Sequence, residues 1–352
     1  MTAVTVPVRP AKDAVLQPLP WRRMAWVSWR HHRVALGGVA VFLGVLAVWL
    51  WTAGLSLHHA YAAAVACHPS SSNACQNLIN GFQATNVILK GGFVLQVLPA
   101  LIGAFVGAPM LAREIETGTF RYAWTQGFGR RRWTVAKLVL VGLAVAALAG
   151  AFSLLVSWYY QPYLASGHGN VYSSPSPLSP GLFDLRGVAF AAWTLAAFAI
   201  GALAGMLIRR IVPAIVATLA AYTGLALLAG NVLRQHYLAP LVAEGSNLPG
   251  AAWITSEWWT KGGKVAFSGR PPVTLLQQLC PSHFVSGPGG GIGVRGTFSP
   301  TTCLAQHGYT QWSDYQPASH FWLFQWIEGG WLLGLSVLLM AVTVWLVRRR
   351  VA

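Results

Sequence analysis

Six stretches of this chain are long, apolar and almost free of charge: Val34–Leu55, Gly91–Leu111, Leu138–Tyr160, Gly187–Leu207, Ile211–Val232 and Phe321–Val347. About 20 helical residues cross the hydrocarbon core of a bilayer, and backbone polar groups in lipid must be satisfied within the protein. Together these conditions predict an all-α integral membrane protein with six transmembrane helices. Composition agrees. Charged residues are 9% of the 352 and hydrophobic ones 55%, whereas a soluble domain carries about a quarter charged residues. The first run starts near Val34 and is long enough to span, so a cleaved leader is not expected.

The net charge of +16 raises nucleic acid as a partner, but position argues against it. A nucleic-acid protein gathers its basic residues on one soluble face. Here they sit at the ends of the apolar segments: Arg22, Arg23, Arg30 and Arg33 before the first, Arg113, Arg121, Arg130–Arg132 and Lys137 between the second and third, Arg209 and Arg210 between the fourth and fifth, and Arg348–Arg350 after the sixth. With Arg9 and Lys12, these four segments hold 17 of the 24 Lys and Arg residues. Lys and Arg resist translocation, so the four segments are expected in the cytoplasm, with both termini inside. The resulting organisation is 1–33, a cytoplasmic N-terminus with an interfacial helix over Trp21–Arg33; 34–232, spans one to five with a surface loop at 112–137; 233–320, a large extracytoplasmic loop; and 321–352, the last span and a basic tail. In the interfacial helix Trp21, Ala25 and Trp29 share one face and Arg22, Arg30 and Arg33 the other; a plain positive-inside anchor is the alternative.

All four cysteines fall in the outer loops, which fits disulfides in an oxidising compartment. Three pairings are possible. Cys67–Cys75 and Cys280–Cys303 are expected because each closes within one loop; free thiols are the alternative. Eight of the ten histidines are also on that side, without the spacing that gives zinc three or four convergent ligands, so no metal is expected. The Gly-rich run 287–296 lacks the lysine and hydroxyl of a phosphate-cradling loop, and no paired catalytic groups sit at membrane depth, so catalytic residues are not expected.

Glu328 is the one acid inside a span. Such a group is costly and faces a cavity or a partner. It therefore either lines a substrate path or makes a polar contact between helices or with interfacial water. Trp322 and Trp326 nearby, with Trp331, suit either stacking on a flat substrate or an outer aromatic belt. Gln96 and Asn231 are weaker path candidates. The pairs Gly103-x3-Gly107 and Gly201-x3-Gly205 permit close helix approach within one chain or across a dimer. Pro99 and Pro213 are expected to kink their helices.

The stretch Arg113–Trp133 reads as a short amphipathic helix at the membrane surface, broken by glycines. Glu114 and Glu116 are not needed for topology and point to a protein contact; a solvated loop is the bland reading. The pattern Arg113-Glu114, Gly118-Thr119, Arg131-Arg132 and Lys137 resembles the coupling-helix region of ABC-2 type transporter permeases. The ending Phe321–Glu328 followed by Trp345–Arg350 looks like an actinobacterial branch of them. Gly127 stands where many relatives have proline, and the outer loop Arg234–His320 is longer than the family's short re-entrant helices. The resemblance implies the membrane subunit of a bacterial ABC exporter in the cytoplasmic membrane. It implies two cytoplasmic ATPase subunits that hold ATP and Mg, so that this chain binds no cofactor of its own. A second permease, a copy or a sister chain, would complete the path for a hydrophobic or amphipathic substrate. Arg113, Glu114, Glu116, Gly118, Thr119, Arg121, Arg131 and Arg132 would couple to the ATPase. Gln96, Glu328, Trp322 and Trp326 are the path candidates. A sensory or immunity module of the same fold, and an intramembrane enzyme, are the competing readings.

Overall fold

A computed structural model describes residues 21–68, 72–84, 94–118, 130–165, 176–245, 248–249, 251–286, 292–294 and 299–350. Among these residues, six helices are long and apolar enough to cross a membrane: His32–Ala66, Val94–Glu116, Arg131–Ala165, Gly187–Ile208, Ile211–His236 and Ala318–Arg349. They overlap all six segments expected from hydropathy; the first and third run well beyond them, and the second is displaced toward its C-terminal end. The chain is therefore a multi-pass membrane protein.

In chain order, α1 is Trp21–Ala66, α2 is Asn73–Ala84, and α3 is the span Val94–Glu116 with a π turn at Gly103–Gly107. Next come α4, Arg130–Ala165, the short α5, Pro180–Phe183, and α6, Gly187–Ile208. The span Ile211–His236 is α7, which passes through a π turn and a 3-10 turn at its end. After the segment 237–320, α10 runs over Phe321–Arg350. No break separates an interfacial helix from the first span: α1 is continuous over 46 residues, about 69 Å at 1.5 Å per residue. It has no proline, and Gly37-Gly38 alone does not end it. Pro213 falls in the first turn of α7, where its missing N–H has no intrahelical partner to lose, so the expected kink has no cause there.

The middle of the bundle is α6. Its buried positions are mostly small, Ala189, Ala192, Ala196, Ala197, Ala199, Ala202, Gly201 and Gly205, which lets neighbours approach closely on several sides. The closest approach is to α3. A Cβ added at Gly103 would lie 2.5 Å from the Ala197 carbonyl oxygen, one at Gly107 2.5 Å from that of Phe198, one at Gly201 2.3 Å from that of Gly103, and one at Gly205 2.3 Å from that of Ala108. The two small-x3-small motifs therefore pack against each other inside one chain.

The segment 237–320 has a shape that hydropathy did not show. It holds β1 (Leu241–Glu244), β2 (Trp253–Lys261), β3 (Lys264–Ser268), α8 (Val273–Leu279), β4 (Phe284–Ser286), β5 (Ile292–Val294), α9 (Pro300–Gln306) and β6 (Tyr309–Gln316). Four strands form an antiparallel sheet in the order β1-β6-β2-β3 and the other two form a separate pair. The β2–β3 turn is Gly262-Gly263, both at positive φ. A two-residue turn with that backbone matches the twist of the strands, and only glycine adopts it freely at both positions. One face of the sheet, with Trp259, Phe267 and Tyr309, packs on Leu276, Leu304 and the Cys280–Cys303 disulfide. The second disulfide joins Cys67 to Cys75 between α1 and α2.

Candidate functional site

Among the described residues, two clusters of charged side chains interrupt the apolar bundle, one at each end. The first is at the basic end, where α3 leaves the bundle. The backbone N–H groups of Thr117 and Gly118 donate to the Arg113 and Ile115 carbonyls, and Gly118 sits at φ 71° to close the helix. A left-handed terminal residue of this kind satisfies the last carbonyls, and glycine adopts it without strain. The final turns thus present Glu114 and Glu116 in fixed directions. Glu114 accepts a charge-assisted hydrogen bond from the Lys137 ammonium of α4, and Lys137 is wholly buried. The same ammonium lies 4.7 Å from the Trp133 ring centre, one turn earlier on α4. Glu116 accepts from the backbone N–H of Ile211 at 3.2 Å. That N–H is one of the first-turn donors a helix cannot satisfy itself, and a carboxylate there also meets the positive end of the α7 dipole. The last turn of α3 is therefore fastened to the starts of α4 and α7, while the glycine seam holds it on α6.

Around this anchor Arg113, Arg131 and Arg132 are exposed. Thr119 and Arg121 lie outside the described residues.

The second cluster is at the opposite end. Glu328 of α10 and Arg234 of α7 are both 0% exposed. Arg234 donates to Glu328 in bidentate fashion, Nε to Oε2 at 3.0 Å and Nη2 to Oε1 at 2.7 Å, and Nη2 also bonds Asp184, which follows α5. Trp193 of α6 donates through Nε1 to Glu328 Oε1 at 2.8 Å, and the Tyr237 hydroxyl donates to Oε2 at 3.1 Å. Trp331 Nε1 donates to that hydroxyl at 2.8 Å. One turn away Gln325 accepts from the Ala189 N–H at 2.8 Å and donates to the Phe183 carbonyl at 3.1 Å, joining α10 to the start of α6 and to α5. Burial pushes the Asp184 carboxyl up to about 7; the nearby Glu328 adds to the rise and Arg234 opposes it. Burial also pushes the Tyr237 hydroxyl up, with Glu328 adding to it. Arg186, just before α6, is lowered to about 10 by burial, and its Nε and Nη1 have no hydrogen-bond partner among the described residues.

The path candidates do not converge. Glu328 is occupied by Arg234, Trp193 and Tyr237 in the interior. Gln96 donates to the Pro180 carbonyl at 2.8 Å and ties α3 to α5. Asn231 bonds the Leu227 carbonyl of its own helix. Trp322 and Trp326, 58% and 63% exposed, point away from the bundle on α10. Sequence reasoning missed Arg234 and Asp184, which were placed in outer loops as ordinary loop charges. A signal was present, because a buried acid needs a cation, and Arg234 ends the fifth span on the side that the positive-inside rule leaves poor in arginine.

A family model described as ABC-2 membrane transporter related matches residues 40–234. The chain belongs to that family. No curated protein matches it, and no solved structure does. The match covers most of α1 and everything from α2 to Arg234, and so contains the whole fastening of α3, Asp184 and Arg234. Glu328 and the four-stranded sheet lie beyond it. This ABC-2 permease thus keeps its second cluster together with an arginine from the matched region and a glutamate from outside it. As a member of the family it is a transporter membrane subunit.

Proposed function

We propose that this permease is the membrane subunit of an ABC exporter in the bacterial cytoplasmic membrane, with its basic end in the cytoplasm. Two separate ATPase subunits bind ATP with Mg and dock on the segment 112–137. Gly118, Thr119, Arg121, Arg131 and Arg132 supply the docking surface there, and Arg113 faces the cleft between α1 and α3. Glu114 and Glu116 act as internal struts that carry the movement inward. The observation that supports this reading is the fastening of one helix end to three others. A push on the end of α3 reaches α4 through Glu114–Lys137, α7 through Glu116–Ile211, and α6 through a seam with no space to yield. Packed elements of that kind move as units instead of deforming.

A second permease, a copy or a sister chain, completes the path for a hydrophobic or amphipathic substrate. The Glu328 cluster then acts as a hinge pin at the outer end, where α7 and α10 enter the outer domain, and not as a substrate ligand. The basic first turns of α1 lie in the headgroups of the inner leaflet.

The experiment is recovery of the tagged chain from native membranes in mild detergent, with ATP hydrolysis assayed on the eluate. A stoichiometric ATPase subunit with vanadate-sensitive hydrolysis is expected. A chain that elutes alone and inactive in several detergents would overturn the reading.

A further inference from the structure

Between α1 and α3 at the basic end lies a cavity of about 470 Å³, within the range of ligand-binding sites. Its lining is graded. Ala35 of α1 and Phe105, Pro109 and Met110 of α3 form an apolar wall. Further along α3 the rim turns polar at Arg113, Glu114 and Thr117, with His32 of α1 also on it. At 1.5 Å per residue, Phe105 and Arg113 are about 12 Å apart along the helix. The wall therefore runs from the charged end toward the middle of the span. Phe105 remains 61% exposed, although α3 is otherwise among the most buried helices of the bundle. Arg113 has no ion-pair partner among the described residues, because the adjacent Glu114 is engaged by Lys137.

We propose that this cavity binds one anionic phospholipid from the leaflet at the basic end, its phosphate on Arg113 and an acyl chain along Phe105 and Met110. A guanidinium presents paired N–H donors that match phosphate oxygens. A small soluble anion would leave the apolar wall unused, and a neutral hydrocarbon would leave the cation unmatched. An anionic lipid satisfies both halves of the site. The surrounding Arg131, Arg132, Arg209 and Arg210 raise the local concentration of such lipids. The bound headgroup would sit against the same turn that carries Glu114, so its occupancy would bear on how firmly α3 is held. The proposal needs the membrane fold and not the ATPase partner.

The test is native mass spectrometry of the purified full-length chain in mild detergent, titrated with phosphatidylglycerol or with phosphatidylcholine of the same acyl chains. Expected is one retained phosphatidylglycerol per chain, held about ten-fold more tightly than phosphatidylcholine, whose choline cation cancels the headgroup charge beside Arg113 and is repelled by the surrounding arginines. Arg113→Glu should abolish that preference. Ala35→Trp, placed at an exposed position of α1, should fill the slot and reduce retention of both lipids. Equal retention of the two lipids by the unaltered chain would overturn the proposal, and that comparison needs no variant to fold. So would a preference that survives Arg113→Glu, wild-type retention in Ala35→Trp, or displacement of the lipid by millimolar inorganic phosphate, which would mark a plain anion site.

Discussion

At the scale of single residues, the charges buried in the two polar clusters are matched, and the two ends match them differently. Lys137 is buried with one anionic partner. Glu114→Gln leaves its ammonium without a counter-charge, and breaking a buried pair from one side costs about 3–5 kcal/mol. The double variant Glu114→Gln with Lys137→Met should recover most of that loss, since no charge is left inside. Thermal melting in detergent of the two single variants and the double variant checks this; equal losses in the Glu114→Gln single and the double would remove the pair from the account. The Arg234 cluster holds two carboxylates and one guanidinium. Arg234→Met strands both acids and should cost about 3–5 kcal/mol, whereas Glu328→Gln leaves Arg234 matched to Asp184 and should cost less. The cluster also makes stability depend on pH. Asp184 titrates near 7 in the folded chain and near 4 when unfolded. Its folded pKa is raised, so the folded state binds the proton more tightly. The stability it contributes is fully present below about pH 4 and is lost as pH rises to about 7. Asp184→Asn should flatten melting temperature against pH over that window, and a slope unchanged in that variant would assign it to another group.

At the scale of elements, the glycine seam between α3 and α6 makes the sharpest demand on sequence. Gly201→Val would put side-chain atoms where the Gly103 carbonyl already stands, 2.3 Å from the first of them. The backbones must separate, and overpacking of that kind costs about 1–3 kcal/mol or more. A melting temperature in detergent equal to that of the unaltered chain would show that the helices can part freely. The seam was legible beforehand as two small-x3-small motifs, though not that they meet each other. The six spans were legible because lipid demands long uncharged segments, and little else produces them. What escaped was whatever depends on a partner distant in sequence. Glu328 was visible as an anomaly, but Arg234 and Asp184 lie 94 and 144 positions earlier, each looking like an ordinary loop charge. Glu114 and Glu116 read as surface acids because the sequence does not show that Lys137 and the Ile211 N–H lie within reach. The four-stranded sheet was missed for a different reason. Its strands are only partly buried, so their alternation is weak, and the one strong local signal, Lys261-Gly262-Gly263-Lys264, fell in a segment judged by its hydropathy alone.

At the scale of the whole molecule, the domain built on the four-stranded sheet is joined to the bundle by two stems, the end of α7 and the start of α10, and Arg234–Glu328 ties those stems together. The domain's own core is small: Trp259, Leu276, Leu304 and their neighbours around Cys280–Cys303. A core of that size leans on its cross-link, and a disulfide closing a loop of this length contributes about 2–4 kcal/mol. Two perturbations should therefore separate. Replacing Cys280 and Cys303 by serine should speed hydrogen exchange of the β2 and β6 amides by roughly 30- to 900-fold, the equivalent of that loss, while the amides of α6 stay protected. Arg234→Met should do the reverse, opening α6 and α10 near Trp193 and Glu328 while the strands keep their protection. Exchange measured by mass spectrometry on both variants decides it. If the serine variant exposes α6 as well, the sheet domain and the bundle unfold as one unit, and the stems transmit stability in both directions; if the strands alone respond, the Arg234–Glu328 pair is the boundary at which motion of the sheet domain stops.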